Sequence, residues 1–207
     1  MGRQATPLGR PRDPELDEKL MTAALLEYAE LGWGAFTMQG VARRAGVGKS
    51  ALYLRWANKE QLLLDSIESV ALTLRVNMDT GSLTGDLTVL ATALLEHFLD
   101  PIGWATLRIT IDVTAEFTDL QPFQQRIVNS LRTFAARAFT RAVERGEMAA
   151  DIAHEPLIES LFGAVLMHTL SRTQEGRAHA RTYPAEHVAP LVEVIARSVR
   201  PAKSDCT

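Results

Sequence analysis

The sequence predicts an all-α protein: a small N-terminal unit of three helices followed by a larger helical unit. Three observations lead there. Apolar residues recur at three- and four-residue spacing through most of the 207 residues. Residues that start helices stand ahead of these periodic segments: Asp13-Pro14, Thr37, Asn58, Pro122, Pro156 and Pro184. Strand-like alternation appears over 107–114 alone, with no second strand to pair with it. With 46% apolar and 23% charged residues, the chain has the composition of a protein that buries a core.

The elements follow in order. Residues 1–12 carry Arg3, Arg10 and Arg12 among Gly and Pro and read as a flexible basic arm. Asp13 caps a first helix with Pro14 at its first position, and Glu15, Asp17 and Glu18 sit at the positive end of the dipole. Leu16, Leu20, Ala24 and Tyr28 form its apolar face, and Gly32 is a natural stop. Thr37 caps a short helix to Ala45, with Met38, Val41 and Ala42 inward. Gly46-Val47-Gly48 makes a tight turn, and Lys49 to Arg55 forms a second short helix with Ala51 and Leu52 inward. Asn58, with Gln61 three residues on, gives a capping box for a longer helix through Leu62, Leu63, Ile67, Val70 and Leu74. Gly81, Ser82 and Gly85 interrupt the pattern. Further helices are expected at 86–99, 102–118, 122–146, 155–173 and 184–200. The alternating stretch is assigned to a helix whose face runs through Trp104, Leu107, Ile111 and Ala115.

Composition also excludes function classes. The one cysteine, Cys206, rules out a disulfide framework and a multi-cysteine metal site, and fits a reducing compartment. The longest uncharged apolar-rich run, 160–171, has 12 residues, short of the ~18–20 that cross a bilayer. No apolar block follows the N-terminal arginines, so no signal peptide is read. The expectation is a soluble, cytoplasmic protein with no membrane partner. His97, His154, His168, His179 and His187 make no HExxH or HxxxH pair, and GxSxG is absent; no metal, cofactor or catalytic residue is expected. Asp112 and Glu116, one helical turn apart, read as a solvated face. Gly46-Val47-Gly48-Lys49-Ser50 resembles part of a phosphate loop, but Arg43 stands where the pattern needs its first glycine, and a helix precedes it where a strand is needed.

Charge is uneven. The net charge is −3, yet residues 1–60 sum to +2, from nine basic and seven acidic residues. Between residues 31 and 59 lie Arg43, Arg44, Lys49, Arg55 and Lys59 and no acidic residue. Two short helices joined by a glycine turn within that stretch make a helix-turn-helix. Its second helix suits the major groove of DNA, showing Lys49, Ser50, Leu54 and Arg55 outward, with Tyr53 able to reach a phosphate. The backbone N–H groups following Asn58 together with Lys59 form a candidate phosphate clamp.

The run Ala23-Ala24-Leu25, Tyr28-Ala29-Glu30, Gly32-Trp33, Thr37-Met38, Val41-Ala42, Ala45-Gly46-Val47-Gly48-Lys49, Leu52-Tyr53, Trp56, Asn58-Lys59-Glu60 and Leu62 resembles the N-terminal domain of the tetracycline-repressor (TetR) family over about 45 nearly gap-free residues. Asp79 to Leu83, Asp86-Leu87, Arg145-Gly146-Glu147 and Asp151 resemble one C-terminal subgroup of that family. The resemblance implies a helix-turn-helix DNA-binding domain over 13–60 and a helical effector-binding and dimerisation domain over 61–207. By position it implies that Thr37, Gly48, Lys49, Ser50, Tyr53, Leu54, Arg55 and Lys59 contact DNA. Trp56 stands where the family usually has Phe, and Gly34 and Gly40 replace common polar residues; glycine costs ~1 kcal/mol inside a helix.

The implied function is a homodimeric regulator, a repressor, released from a double-stranded, pseudo-palindromic DNA operator by a small-molecule effector. Phe98, Trp104, Phe117, Phe134 and Phe162 are candidate walls of the effector pocket. Leu157, Leu161, Val165 and His168, with Val188, Leu191, Val192, Ile195 and Val199, are candidates for the dimer interface. The alternative is a helical small-molecule sensor or scaffold without DNA binding.

Overall fold

The computed structural model describes residues 13–73, 78–115 and 121–200. The arm over 1–12, Leu74, Glu116, Phe117 and Cys206 lie outside the described residues. Among those described are ten helices and no strand: α1 (Pro14–Ala35), α2 (Met38–Ala45), α3 (Lys49–Tyr53), α4 (Lys59–Thr73), α5 (Leu83–Leu99), α6 (Pro101–Ala115), α7 (Gln121–Glu144), α8 (His154–Leu170), α9 (Gln174–Thr182) and α10 (Pro184–Ser198).

Local chemistry sets the helix ends. Asp13 Oδ1 accepts from the backbone N–H of Glu15 at 3.2 Å and of Leu16 at 3.4 Å, starting α1. Gly32 breaks α1 with φ +69°, a conformation that a Cβ disfavours, and a further turn runs to Ala35. Thr37 Oγ1 accepts from Gly40 N at 3.0 Å to cap α2, and Gly46 ends α2 at φ +67°. Asn58 Oδ1 accepts from Gln61 N at 2.8 Å, but the Gln61 amide donates to Asp65, so only half of the expected capping box forms.

Three expectations are corrected. Gly85 lies inside the first turn of α5, where Ser82 Oγ accepts its N–H; the break is at Gly81, φ +86°. The alternating stretch is helical, but α6 buries Ala105 and Ile109 and leaves Trp104 and Ile111 exposed. Both faces of the stretch carry large apolar residues, so its sequence period leaves open which one is buried, and packing against the N-terminal core selects Ala105 and Ile109. Helix α9 was not foreseen: Ala180 is its one buried residue, so it has no apolar period to read.

Two cores hold the chain. One joins α5, α7, α8 and α10 through Leu87, Leu94, Phe139, Leu161 and Val192. The other gathers Leu20, Tyr28, Phe36, Val41, Leu52 and Trp56, and is completed by Leu62, Leu63 and Ile67 of α4 and by Ala105 and Ile109 of α6. A division at residue 60 therefore cuts through a core. About 45 residues bury too little surface to be stable alone, so the later helices close the small unit.

Two polar features are built in. Glu27 of α1 is buried beneath α2, where its Oε2 accepts from Arg44 Nε at 2.7 Å. Gly40 provides the room: a Cβ there would collide with Glu27 Oε1. Asp86 is fully buried and accepts from Thr80 N (2.7 Å), Thr80 Oγ1 (2.8 Å) and Arg141 (3.0 Å). Arg141 also donates to Met78 O, and Glu147, paired with Arg145, accepts from Leu83 N at 2.7 Å. Asp79, Asp86, Arg145 and Glu147 of the C-terminal resemblance thus form, with Arg141, one ion network that ties the 78–86 segment to α7 and the turn after it.

Gly40→Ala is expected to destabilise by about 1–3 kcal/mol, since the buried carboxylate must leave Arg44. Gly34→Ala, with open space around it, is expected to be neutral or stabilising by up to ~1 kcal/mol. Thermal denaturation of both variants checks the pair. Burial works to raise the Asp86 carboxyl, but the hydrogen bonds from Thr80 and Arg141 outweigh it and hold the group below its usual value. Its contribution is present above the ordinary carboxylate value near ~3.9 and is lost as pH falls through the lower folded value. The stability gap between wild type and Asp86→Asn is therefore expected to be widest at neutral pH and to shrink below about pH 4, as denaturant titrations will show.

Candidate nucleic-acid interface

Helices α2 and α3 cross at the Gly46 turn and pack through Val41, Ala42, Ala45 and Leu52, all buried. That packing turns the other side of α3 to solvent. Lys49 and Ser50 are exposed, Tyr53 is 57% exposed and Leu54 81%. Gly48 precedes them at φ −72° with nothing near its missing side chain, so neither backbone strain nor internal packing demands glycine there. Thr37 is exposed at the start of α2.

The five cations of the basic stretch have separate fates. Arg44 bridges Glu27 and Glu30. Arg43 points into solvent, 3.7 Å from Glu27. Arg55 does not face outward as expected: it pairs with Asp17 of α1 and donates to Ala51 O at 3.0 Å. Lys59 is also turned inward. Its Nζ donates to Trp33 O (3.3 Å) and Phe36 O (3.2 Å) and lies 3.9 Å from the Trp33 ring centroid. It caps the C-terminal end of α1, where orphan carbonyls attract a cation. Only Lys49 among the five carries no ion pair or internal hydrogen bond among the described residues. Trp56 improves on a plain apolar side chain by donating its Nε1–H to Asp65 at 2.8 Å.

The small unit is fastened to the rest by α6. The Tyr28 hydroxyl donates to Asp112 at 2.9 Å, and burial, together with that carboxylate, pushes the phenol well above its usual range. Arg108 donates to Ala29 O at 2.6 Å and Glu30 O at 3.4 Å, just before the Gly32 break. Asp112, read from sequence as a solvated face, is an inter-unit contact.

The remaining candidates divide. Leu161, Val165, Val188, Val192 and Ile195 are buried within the protomer, as is Val199, and so cannot meet a partner; Leu157, His168 and Leu191 are half-buried. The stripe they form is the inner face of α8 and α10. The outer face carries Gly163, Met167 (60% exposed) and Leu170 on α8, and Pro190 and Val194 (70% exposed) on α10. An amphipathic pattern marks the most apolar face of each helix, and the protomer's own core claims that face. Phe98 is core, Phe134 and Phe162 pack half-buried against the same core, and Trp104 is exposed. None of them lines the two described cavities. One, of about 680 Å³, lies between α1, α4, α5 and α6 beside Met21, Val70, His97 and Ile102. The other, of about 530 Å³, lies between α7 and α8 beside Arg132 and His154.

Two short helices at a glycine turn, an outward face with no acidic group, and a larger helical unit that braces them define a helix-turn-helix DNA-binding regulator. Family models agree. The model "Bacterial regulatory proteins, tetR family" matches residues 20–65, and "Tetracyclin repressor-like, C-terminal domain" matches residues 78–192. The chain belongs to the TetR family, a family of transcription regulators. It is 29% identical over 154 residues to the HTH-type transcriptional regulator AqdR of Rhodococcus erythropolis, covering 74% of each chain. It is 26% identical over 162 residues to the HTH-type transcriptional regulator YdeS of Bacillus subtilis, covering 78% of this chain and 82% of that one. Its fold matches SmeT of Stenotrophomonas maltophilia, solved in complex with triclosan, with a TM-score of 0.64 at 18% identity over 91% of this chain and 93% of SmeT. No helix among the described residues is long and apolar enough to cross a membrane.

The inward position of Lys59 leads to an expected outcome. Lys59→Ala should lower folding stability by about 1–2 kcal/mol, because two carbonyls and an aromatic face lose their cation. The salt slope of DNA binding should stay unchanged. Denaturation and binding titrations on one preparation check both.

Proposed function

We propose that the chain works as a homodimeric repressor. Two α3 helices enter the major groove at the half-sites of a pseudo-palindromic operator, and a small-molecule effector releases them. The observation that carries this reading is the α3 surface. Folding leaves Lys49, Ser50, Tyr53 and Leu54 in water, beside a glycine that the protein's own packing does not require. In this reading Lys49 and Tyr53 meet phosphates, Ser50 meets a phosphate or base edge, and Leu54 meets a thymine methyl. Thr37 and the Gly48 backbone approach the flanking phosphates. Arg55 and Lys59 serve DNA binding indirectly, by holding α3 and α4 against α1.

A single helix supplies few base contacts, each worth ~1–3 kcal/mol of discrimination, so a second copy is needed for specificity. Gly163, Met167, Leu170, Pro190 and Val194 offer the outward face for that pairing. The SmeT–triclosan complex supports a small-molecule ligand for a protein of this fold. In this chain α6 is the transmitting element, since Arg108 and Asp112 grip α1 while its other side meets α5 and α7. An effector acts only by binding the two arrangements with different affinity.

Footprinting the purified protein on the DNA upstream of its own gene tests the reading: a palindromic footprint is expected, and protection without two-fold symmetry counts against it. Lys49→Ala should lower the slope of log affinity against log salt by about 0.9 per protomer. Val194→Lys should give a folded monomer in sedimentation and weaken operator binding. A monomeric wild type, or an unchanged slope, would overturn the corresponding part.

A further inference from the structure

Helix α9 is held to the molecule mainly by polar contacts. Arg181 donates to Leu99 O of α5 at 2.6 Å, and Arg177 donates to Arg172 O at 2.7 Å. The third tie is a row of imidazoles from three helices. His168 Nε2 of α8 lies 3.0 Å from His187 Nδ1 of α10, and His187 Nε2 lies 2.8 Å from His179 Nδ1 of α9.

One neighbour sets the order of protons along the row. An Arg172 guanidinium nitrogen lies 3.3 Å from His168 Nδ1. A guanidinium only donates, so this Nδ1 accepts and His168 carries its proton on Nε2. That proton is donated to His187 Nδ1, which leaves the His187 proton on Nε2, donated in turn to His179 Nδ1. All three rings are then neutral, and every Nδ1 is covered by a donor. A second proton on any ring must enter at Nδ1, where a hydrogen from Arg172, His168 or His187 already points. Protonation breaks a link and sets positive charge beside Arg172 or another imidazole.

The row does not suit a metal ion. His187 spends its two nitrogens on different neighbours, so the rings lie in line and do not converge. No group of three His, Cys, Asp or Glu among the described residues could hold one.

We propose that His168, His187 and His179 form a proton-operated latch that fastens α9 to α8 and α10 at neutral pH and releases it in mild acid. The charged groups around it are Arg172 just after α8 and Glu186 on α10, and the Tyr183 ring rests against His179 with centroids 4.9 Å apart. Burial, then Arg172 and His187, hold His168 below the ordinary imidazole value. Burial, then His179 and Arg172, do the same for His187, with Glu186 opposing. A histidine lowered in the folded state contributes stability that is full above the ordinary value near ~6.5 and is lost as pH falls towards the folded value. The latch thus opens below about pH 6.5. It stands beside Met167 and Leu170, so its opening loosens the chain next to the outward face of α8, whether or not that face pairs with a second copy.

Amide hydrogen exchange on the full chain, corrected for intrinsic rates, tests the latch. Protection of the α9 amides should fall about fivefold or more between about pH 7.5 and about pH 5.5, as a tenfold difference in one histidine's proton affinity between the latched and released states implies. Helix α5 should keep its protection. In His187→Gln the α9 ratio between the two pH values should be below about twofold, because the central titrating ring is gone. Arg172→Gln, whose amide can accept as well as donate, should shrink the fall, because the latched His168 then takes a proton more readily and the difference from the released state narrows. Ring-proton titration of wild type adds a measurement that survives if His187→Gln releases α9 outright: His168 and His187 should titrate in coupled steps below the ordinary value. Equal α9 protection at both pH values, a fall in His187→Gln as large as in wild type, or independent titration near ~6.5 would overturn the proposal.

Discussion

The structure depends on one packing event: Ala105 and Ile109 of α6 close the core of the N-terminal unit. The three N-terminal helices together do not bury enough apolar surface to stand alone. They borrow the first half of α4 and one side of α6. The DNA-binding unit therefore shares its hydrophobic core with the unit that follows, and is not a bead on a linker. The small side chain of Ala105 lets α6 come close, and Tyr28–Asp112 and Arg108–Ala29 fix its register with polar contacts. A displacement of α6 cannot be absorbed locally, because packed interiors deform little.

Electrostatics follow the same logic. The basic stretch looked like a field aimed at DNA, and most of it is spent inside. Arg44 neutralises Glu27 beneath α2, Arg55 ties α3 to Asp17, and Lys59 caps α1. Each pins a helix-turn-helix element to α1, so these charges hold the unit together while Arg43 and Lys49 stay exposed. The Asp86 network does equivalent work in the second unit, where buried charge is tolerable only because each partner is satisfied.

Helix existence was readable in the chain itself. Caps at Asp13, Thr37 and Asn58, and the turn at Gly46, act within three or four residues and need no distant partner. The helix-turn-helix was legible for the same reason: its inward Val41, Ala42 and Leu52 and outward Lys49, Ser50 and Tyr53 alternate at helical spacing. Family membership followed from that pattern. Three things were not legible. Helix α9 has no apolar stripe. Gly40 looked like a weakness until Glu27 was seen to fill the space above it. The stripe through Leu161, Val165, Val188 and Val192 marks burial, but periodicity cannot say whether burial lies within a chain or between two.

By itself, then, the sequence determined which segments coil, where they stop and which short pair shows a cationic face, because these are contests between neighbouring residues. Tertiary structure alone decided which cations turn inward, which face of α8 and α10 stays in solvent, and that α6 completes the N-terminal core. Those outcomes depend on residues tens of positions apart competing for the same space and the same counter-charge, and no local period records that competition.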